Sequence, residues 1–520
     1  APARAARRLR PSRALAALAA CVLLGLGSWA FEWTRRPAAA AAPASIAVLP
    51  FADMSPGGDA EYLSDGITEE LIHALSQVEG LRVVARTSAF AFKGRDVDVR
   101  EIGEALDVGA LLEGSIRRSG DRLRVTVKLV DARNGYHLWS RSYDRGMADV
   151  FSVQEEISRA VVGTLRPALL RGSPAPLVST STANAAAYQI YMQGRHFWNQ
   201  RTEEGLRRAI ERFEQAIRLD PAYAEAYSGL SDAHNALADN GYVPPGPALE
   251  KAEAAVLKAL ELDGGLAEAH TSLGHLRLHR WDWAGAERDF RRSIELNPGY
   301  AVAYQYYAYL LTFHGRFEES LPLIRRAQHL DPLSPAIQSN VGQVLLLARR
   351  YPEAAEQVRF ALQMDSTRVD TRHLLASTLV ELGRHEEAVA ELRRVIAQSG
   401  GWHRSAVATL GHTYARAGRR EDAERVRGEI ERARREGKTV TPFDYAAMLG
   451  ALGRRDEAFA ALEEAFVGQA SGLVTIAVAP SMDPLRSDPR FAVLLRRLGL
   501  PRPAEPDPAA PPPPAEAGAP

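Results

Sequence analysis

Apolar residues in the second half of the chain recur three and four apart, the period of a helix with one buried face, and each run closes on a turn residue. Between residues 264 and 400 those turns fall at Gly264, Pro298, Pro332, Ser366 and Gly400, each 34 residues after the last. Side-chain size repeats at the same offsets within every interval. Gly274, Ala308, Gly342 and Ala376 are small, Ala286, Ser320, Ala354 and Ala388 are small again, and Phe290, Ile324, Val358 and Leu392 are large and apolar. Short residues often follow three positions later, at Ser293, Ala327 and Ala361. Two antiparallel helices approach closely only where small side chains face each other, and a large residue one turn away fills the flanking space. A proline or glycine then ends the second helix. The pattern predicts helix pairs stacked one after another.

The array extends in both directions with looser spacing. Gly194, Ala209, Phe213, Ala216 and Pro221 make one upstream unit, and Ser231, Ala252, Val256, Ala259 and Gly264 another, with an insertion at Asn240–Pro247. Downstream, Leu410, Gly411, Tyr414 and Ala423 form a seventh unit, and Tyr445, Ala446, Gly453, Ala458, Leu462 and Ala465 an eighth. The period and the order of sizes resemble the tetratricopeptide repeat. The resemblance implies an all-α solenoid over residues 186–470 whose first helices line a concave groove.

Ahead of the repeats the periodicity changes to short strands alternating with helices. Ser45–Phe51, Leu81–Arg86, Ala110–Arg118, Arg122–Asp131 and Tyr136–Tyr143 read as strands, the last three joined as a meander by Ser119-Gly120-Asp121 and Asn134-Gly135. Gly66–Val78, with Asp65 as its cap and Glu69 and Glu70 in its first turn, reads as a helix, as do Val99–Leu106 and Val150–Leu169. The stretches IAVLPF (46–51), YLSDGITEELIHAL (62–75), LRVVARTSAFAFKG (81–94), the long run 102–145 and VFSVQEEI (150–157) resemble the TolB-like amino-terminal domain of bacterial envelope and signalling proteins. That resemblance implies an α/β domain with a mixed sheet over residues 45–170, akin to pieces of FlgO and CsgG. In TolB a β-propeller follows. Here repeats stand in its place, so the propeller's partners do not carry over.

Ala14–Phe31 carries no charge, and Arg4, Arg7, Arg8, Arg10 and Arg13 precede it. The length is the minimum for spanning ~30 Å of hydrocarbon. Five arginines before it and two after place its start in the cytoplasm. The expectation is a single-pass inner-membrane helix at 14–31 behind a basic flank (1–13), then an Ala/Pro linker (32–44) and a periplasmic bulk. A cleaved signal peptide ending within Ala38–Pro43, or a lipoprotein acylated at Cys21 of Leu18-Ala19-Ala20-Cys21, are the alternatives. Position 1 is alanine rather than methionine, which allows a further cytoplasmic domain upstream. A second linker (171–185), a capping segment (471–500) and a disordered Pro/Ala tail (501–520) complete the division. Phe491, Leu494 and Leu495 are expected to cover the last repeat. A membrane helix, this α/β domain and repeats in series resemble the carboxy-terminal part of bacterial transmembrane serine/threonine kinases, CadC-type winged-helix regulators and nucleotide cyclases.

Composition narrows the function. With 64 basic and 64 acidic residues the chain lacks the surplus expected of a nucleic-acid binder, so no nucleic acid is expected as partner. One cysteine supports neither an internal disulfide nor a thiolate zinc site. No phosphate-binding loop, dinucleotide fingerprint, nucleophile elbow, zinc-protease motif or kinase set occurs, which points away from an enzyme and from any cofactor. The acidic stretch Asp53, Asp59, Glu61, Asp65 fails calcium-loop spacing and reads as a turn and cap. His275 and His279, four apart, could face one metal, yet no third ligand sits at a matching offset, so they read as groove lining. Trp198, Trp281, Trp283 and Trp402 read as joints between helices. The repeat offsets turn Ser228, Asp232, Thr271, His275, Gln305, Tyr309, Ser339, Gln343, His373 and Ser377 into the groove. This set is polar and aromatic, with little charge. It predicts a protein or peptide ligand held by hydrogen bonds and stacking rather than by a carboxylate clamp.

Overall fold

The computed structural model describes residues 44–58, 60–165, 182–239, 242–243 and 245–501. The expected membrane helix, residues 32–43 and 171–181 of the two linkers, Cys21, Asp59 and the tail beyond residue 501 lie outside these. Among the described residues no helix is long and apolar enough to cross a membrane.

The first part is a mixed sheet with helices. Strands β1 (Ala44–Val48) and β2 (Ala52–Asp53) precede helix α1 (Glu61–Ser76), then come β3 (Leu81–Val83), α2 (Arg86–Phe90) and α3 (Val99–Leu106). A meander of β4 (Ala110–Ser119), β5 (Arg122–Asp131) and β6 (His137–Gly146) follows, and α4 (Val150–Leu165) leads out. Strand order is β3-β1-β4-β5-β6, with β2 also beside β4. β1 runs parallel to β4, with Ile46 opposite Ala110, and β4–β5 and β5–β6 are antiparallel. Near-continuous apolar β1 is buried through Ile46, Ala47 and Val48, as a strand covered on both faces must be. Gly135 takes φ +75° and closes the second hairpin, which a Cβ would strain.

Several sequence expectations change here: the strand expected over Ser45–Phe51 ends at Val48, and the one expected over Tyr136–Tyr143 runs on to Gly146. Asp65 does not cap α1. The helix begins four residues earlier at Glu61, and Asp65 is buried inside it, bonded to Lys93 Nζ at 2.6 Å. The strand at Leu81 stops at Val83, because Arg86 already starts α2 and the amide of Ala85 bonds outward to Leu330 O.

The second part is a solenoid of antiparallel helix pairs: α5/α6 (Ala185–Asn199, Glu203–Leu219), α7/α8 (Ala224–Asp239, Pro245–Leu262), α9/α10 (Ala267–His279, Trp283–Leu296) and α11/α12 (Ala301–Phe313, Phe317–Leu330). Then come α13/α14 (Pro335–Leu347, Tyr351–Met364), α15/α16 (Val369–Glu381, His385–Gln398), α17/α18 (Ala406–Arg416, Arg420–Arg435) and α19/α20 (Pro442–Ala451, Arg455–Val467), and α21 (Pro489–Leu498) ends the described fold. The size code of the repeats is its packing. A Cβ on Gly274 would lie 2.6 Å from the Phe290 ring, and one on Gly342 would run into Val358 Cγ2. Phe290, Ile324, Val358 and Leu392 are fully buried, each contributing about 1.5–3 kcal/mol. Where a serine takes a small position, its hydroxyl is satisfied: Ser320 Oγ donates to Ala308 O at 2.9 Å.

Candidate interaction face

The sheet domain docks on the repeats through α1. Gly66 on that helix lets Met192 of α5 approach so closely that a Cβ would collide with its sulfur. One turn on, Glu69 bonds Arg195 and Asn199 of α5 and pairs with Arg86 of α2. Burial pushes the Glu69 carboxyl up, but the guanidiniums of Arg195 and Arg86 outweigh it and hold it below the usual range. Next along α1, His73 Nδ1 lies 2.9 Å from Glu268 Oε1 at the start of α9. At the helix end Asn297 Nδ2 donates to Ser76 Oγ at 3.0 Å.

The turns between pairs add to the seam, as does the last helix of the sheet domain, where Gln154 Nε2 donates to Tyr188 OH at 2.7 Å. Ala85 N donates to Leu330 O at 2.9 Å, Ser88 N to Asp331 Oδ1 at 3.0 Å, and Leu333 N to Ser88 Oγ at 2.8 Å. Between α1, α2 and the first helices of the early pairs lies a cavity of about 240 Å³, with Glu70, His73, Glu225, Ser228, Asp232 and Glu268 among its walls. Burial alone would lower the His73 pKa, yet Glu268, Glu70 and Glu225 together raise it to about 9. Burial raises Glu225 to about 8, and its Oε2 has no hydrogen-bond partner among the described residues.

The ten expected groove positions divide. Ser228 and Asp232 wall the cavity beneath the sheet domain, and Asp232 Oδ1 accepts from Ser272 Oγ at 2.5 Å. Thr271 is buried and donates to Ser293 Oγ within its own pair, at 2.8 Å. The remainder lie along successive first helices, often bonded across the repeat boundary. Tyr309 OH donates to Gln343 Oε1 at 2.9 Å, Thr371 Oγ1 to Ser339 Oγ at 3.2 Å, and His373 Nε2 lies 2.9 Å from Thr409 Oγ1. Ser377 Oγ donates back to His373 O at 3.1 Å, and Gln305 is half-buried on α11. His275 stacks against Tyr306 with ring centroids 4.5 Å apart.

Two further features escaped the sequence reading. Asp239, the last residue of α7, comes within 4.0 Å of His275 Nε2, so three metal-capable groups meet where a spacing rule found two. The carboxy-terminal segment also reaches back across the array. Phe491, Leu494 and Leu495, the expected cover of the last repeat, are buried beside the last pair. The segment's end also meets the third pair, where Trp283 Nε1 donates to Leu498 O at 2.7 Å, and nearby Trp281 stacks on Phe466 of α20 with ring centroids 5.0 Å apart. Arg349 pairs with Asp483 at 2.8 Å on the same side. In the acidic stretch, Asp53 accepts from the amides of Ser55 and Ala60.

Residues 42–159 match the family model described as HilA/YgeH-like transcriptional regulator, second domain, and residues 345–404 match a tetratricopeptide repeat model. "Putative adenylate cyclase 3" of Rhizobium meliloti strain 1021 is 37% identical over 234 residues, 44% of this chain and 39% of that protein. Transcriptional regulator HilA of Salmonella typhimurium is 23% identical over 297 residues, 56% of this chain and 52% of that one. The chain thus spans about half or less of the curated relatives it matches. Among solved structures, TTC0263, a thermophilic tetratricopeptide protein of Thermus thermophilus, aligns at 17% identity and a TM-score of 0.32 over 37% of this chain and 98% of that one. The carboxy-terminal part of the chain is a tetratricopeptide repeat array, of the kind that serves as a protein-interaction scaffold.

Proposed function

We propose that this chain is the partner-binding part of a bacterial signalling protein, a scaffold that itself makes and breaks no bond. The observation that carries this reading is the row of half-buried, neutral polar side chains along successive first helices, with Tyr309, Gln343 and His373 at its centre. Such a row offers hydrogen bonds and ring faces to an extended or helical peptide without fixing its charge. The sheet domain, read as TolB-like, is the second docking element. The uncharged run Ala14–Phe31 behind five arginines is its membrane anchor, with the bulk in the periplasm.

A second reading has its own support: the chain is the sensory half of a longer adenylate cyclase, serine/threonine kinase or winged-helix regulator. The identity to the Rhizobium protein and the match of residues 42–159 to a regulator's second domain favour it. Affinity capture from solubilised membranes, comparing the full chain with its Tyr309→Ala plus Gln343→Ala variant, tests the groove. Loss of a specific partner in the variant supports it, and unchanged recovery overturns it. Turnover of ATP to a cyclic nucleotide by the purified 520 residues would overturn the non-catalytic reading.

A further inference from the structure

His275 and His279 sit one turn apart on α9, and their Nε2 atoms are 3.1 Å from each other. Asp239 closes α7, the first helix of the preceding pair, and presents Oδ2 at 4.0 Å from His275 Nε2. All three donor atoms fall within 4.8 Å of one another. In a tetrahedral zinc site with bonds of about 2.0–2.1 Å, neighbouring donors stand roughly 3.3 Å apart. The histidine pair is already at that spacing, and the carboxylate needs only a small inward rotation.

The surroundings favour a cation over a simple hydrogen-bonded cluster. The two Nε2 atoms face each other across the gap between the rings, so an ion placed there would take the deprotonated nitrogen of each imidazole. The rings are set at 89° to each other, and His275 is backed by Tyr306, which fixes its orientation. Asp239 stands at a helix carboxy terminus, where the backbone dipole attracts positive charge. Its side chain is 43% exposed against 11% for His275, so the fourth coordination position faces solvent.

We propose that Asp239, His275 and His279 bind one divalent transition-metal ion of the zinc class, stapling the first helices of the second and third repeats. Two imidazoles and one carboxylate suit zinc better than calcium or magnesium, which prefer all-oxygen shells. The open position accepts water or a ligand atom from a bound partner.

The test uses the full chain without an affinity tag, stripped with chelator and titrated with zinc by calorimetry, with cobalt as the spectroscopic probe. One ion per chain, a tetrahedral cobalt spectrum and a rise in Tm on saturation are expected. His279→Gln and Asp239→Asn each remove a proposed ligand and should weaken binding by at least the roughly 10–100-fold that loss of an outer-shell partner costs. Both positions are incompletely buried, and unchanged circular dichroism would establish that the variants fold. Absence of binding at millimolar zinc, or equal affinity in both variants and the parent chain, overturns the assignment.

Discussion

Tyr309 donates its hydroxyl proton to Gln343 Oε1 at 2.9 Å, and the two residues stand 34 positions apart. They hold the same place in consecutive repeats, so one hydrogen bond reports that two first helices lie side by side in register. The Tyr309 ring also stacks on Phe313, with centroids 5.7 Å apart. Tyr309→Phe should therefore keep the ring contact and lose only the bond, costing about 1 kcal/mol. Tyr309→Ala loses both, and denaturant melts of the two variants should separate by more than that amount.

The glycines give a sharper contrast. A Cβ at Gly274 would drive into the rigid Phe290 ring at 2.6 Å, and one at Gly299 into the backbone oxygen of Ser76 at 2.8 Å. Neither obstacle is the free end of a side chain. Gly274→Ala and Gly299→Ala should each destabilise by about 1–3 kcal/mol. Gly428 lies within α18 with nothing near its missing Cβ, so Gly428→Ala should stabilise by about 0.5–1 kcal/mol. Chemical denaturation of the three variants checks both signs.

The same glycines explain how much of the fold could be read from the residues. Helix pairs announce themselves because close approach demands small side chains at fixed offsets, and Val99–Leu106 and Arg122–Asp131 appear as elements with the bounds their periodicity implies. Asp65 misled because an acidic residue before an apolar run is a cap signal, whereas its actual partner, Lys93, is 28 residues away. The seam between domains stayed hidden because Glu69, Arg86 and Arg195 look like solvated helix charges until α1 and α5 meet. Asp239 escaped for a different reason. The irregular insertion before α8 breaks the 34-residue register there, so no offset from His275 leads to it.

Glu69 sits between two guanidiniums with its side chain only 15% exposed. Glu69→Gln keeps the shape but leaves Arg86 and Arg195 facing each other without their anion. Removing one member of such a buried group costs about 3–5 kcal/mol. The loss should appear as release of the sheet domain: faster amide exchange in α1 and α5, with α13 to α18 unchanged. Adding Arg195→Met should recover part of the loss, because it removes the stranded charge. A double-mutant cycle without coupling would show that the seam does not depend on this pair.

Stability should pass through a maximum near neutral pH, because two sets of groups act on opposite limbs. Burial lowers His234, His275, His279, His373 and His412 to about 4, against an ordinary value near 6.5. Between those values the unfolded chain binds more protons at these sites, so their contribution grows as pH rises and is complete above 6.5. Buried Glu225, raised to about 8, and Asp444, raised to about 6, act the other way, as do Glu70, Asp232, Asp239, Asp331 and Glu381. Carboxylates that, despite burial, guanidiniums hold low, such as Glu69 and Asp483, join the imidazoles on the acid limb. On the alkaline limb His73 is held near 9, despite burial, by the carboxylates of Glu268, Glu70 and Glu225. Its contribution is full below 6.5 and is lost as pH climbs through 9, while Glu225 ionises over the same range. Tm measured in chelator should therefore rise from pH 4 to 6.5 and fall from 7 to 9. His73→Gln can still donate to Glu268 but does not titrate, so it should flatten the alkaline fall while leaving the acid limb in place. An alkaline slope identical in the variant would place the titrating group elsewhere.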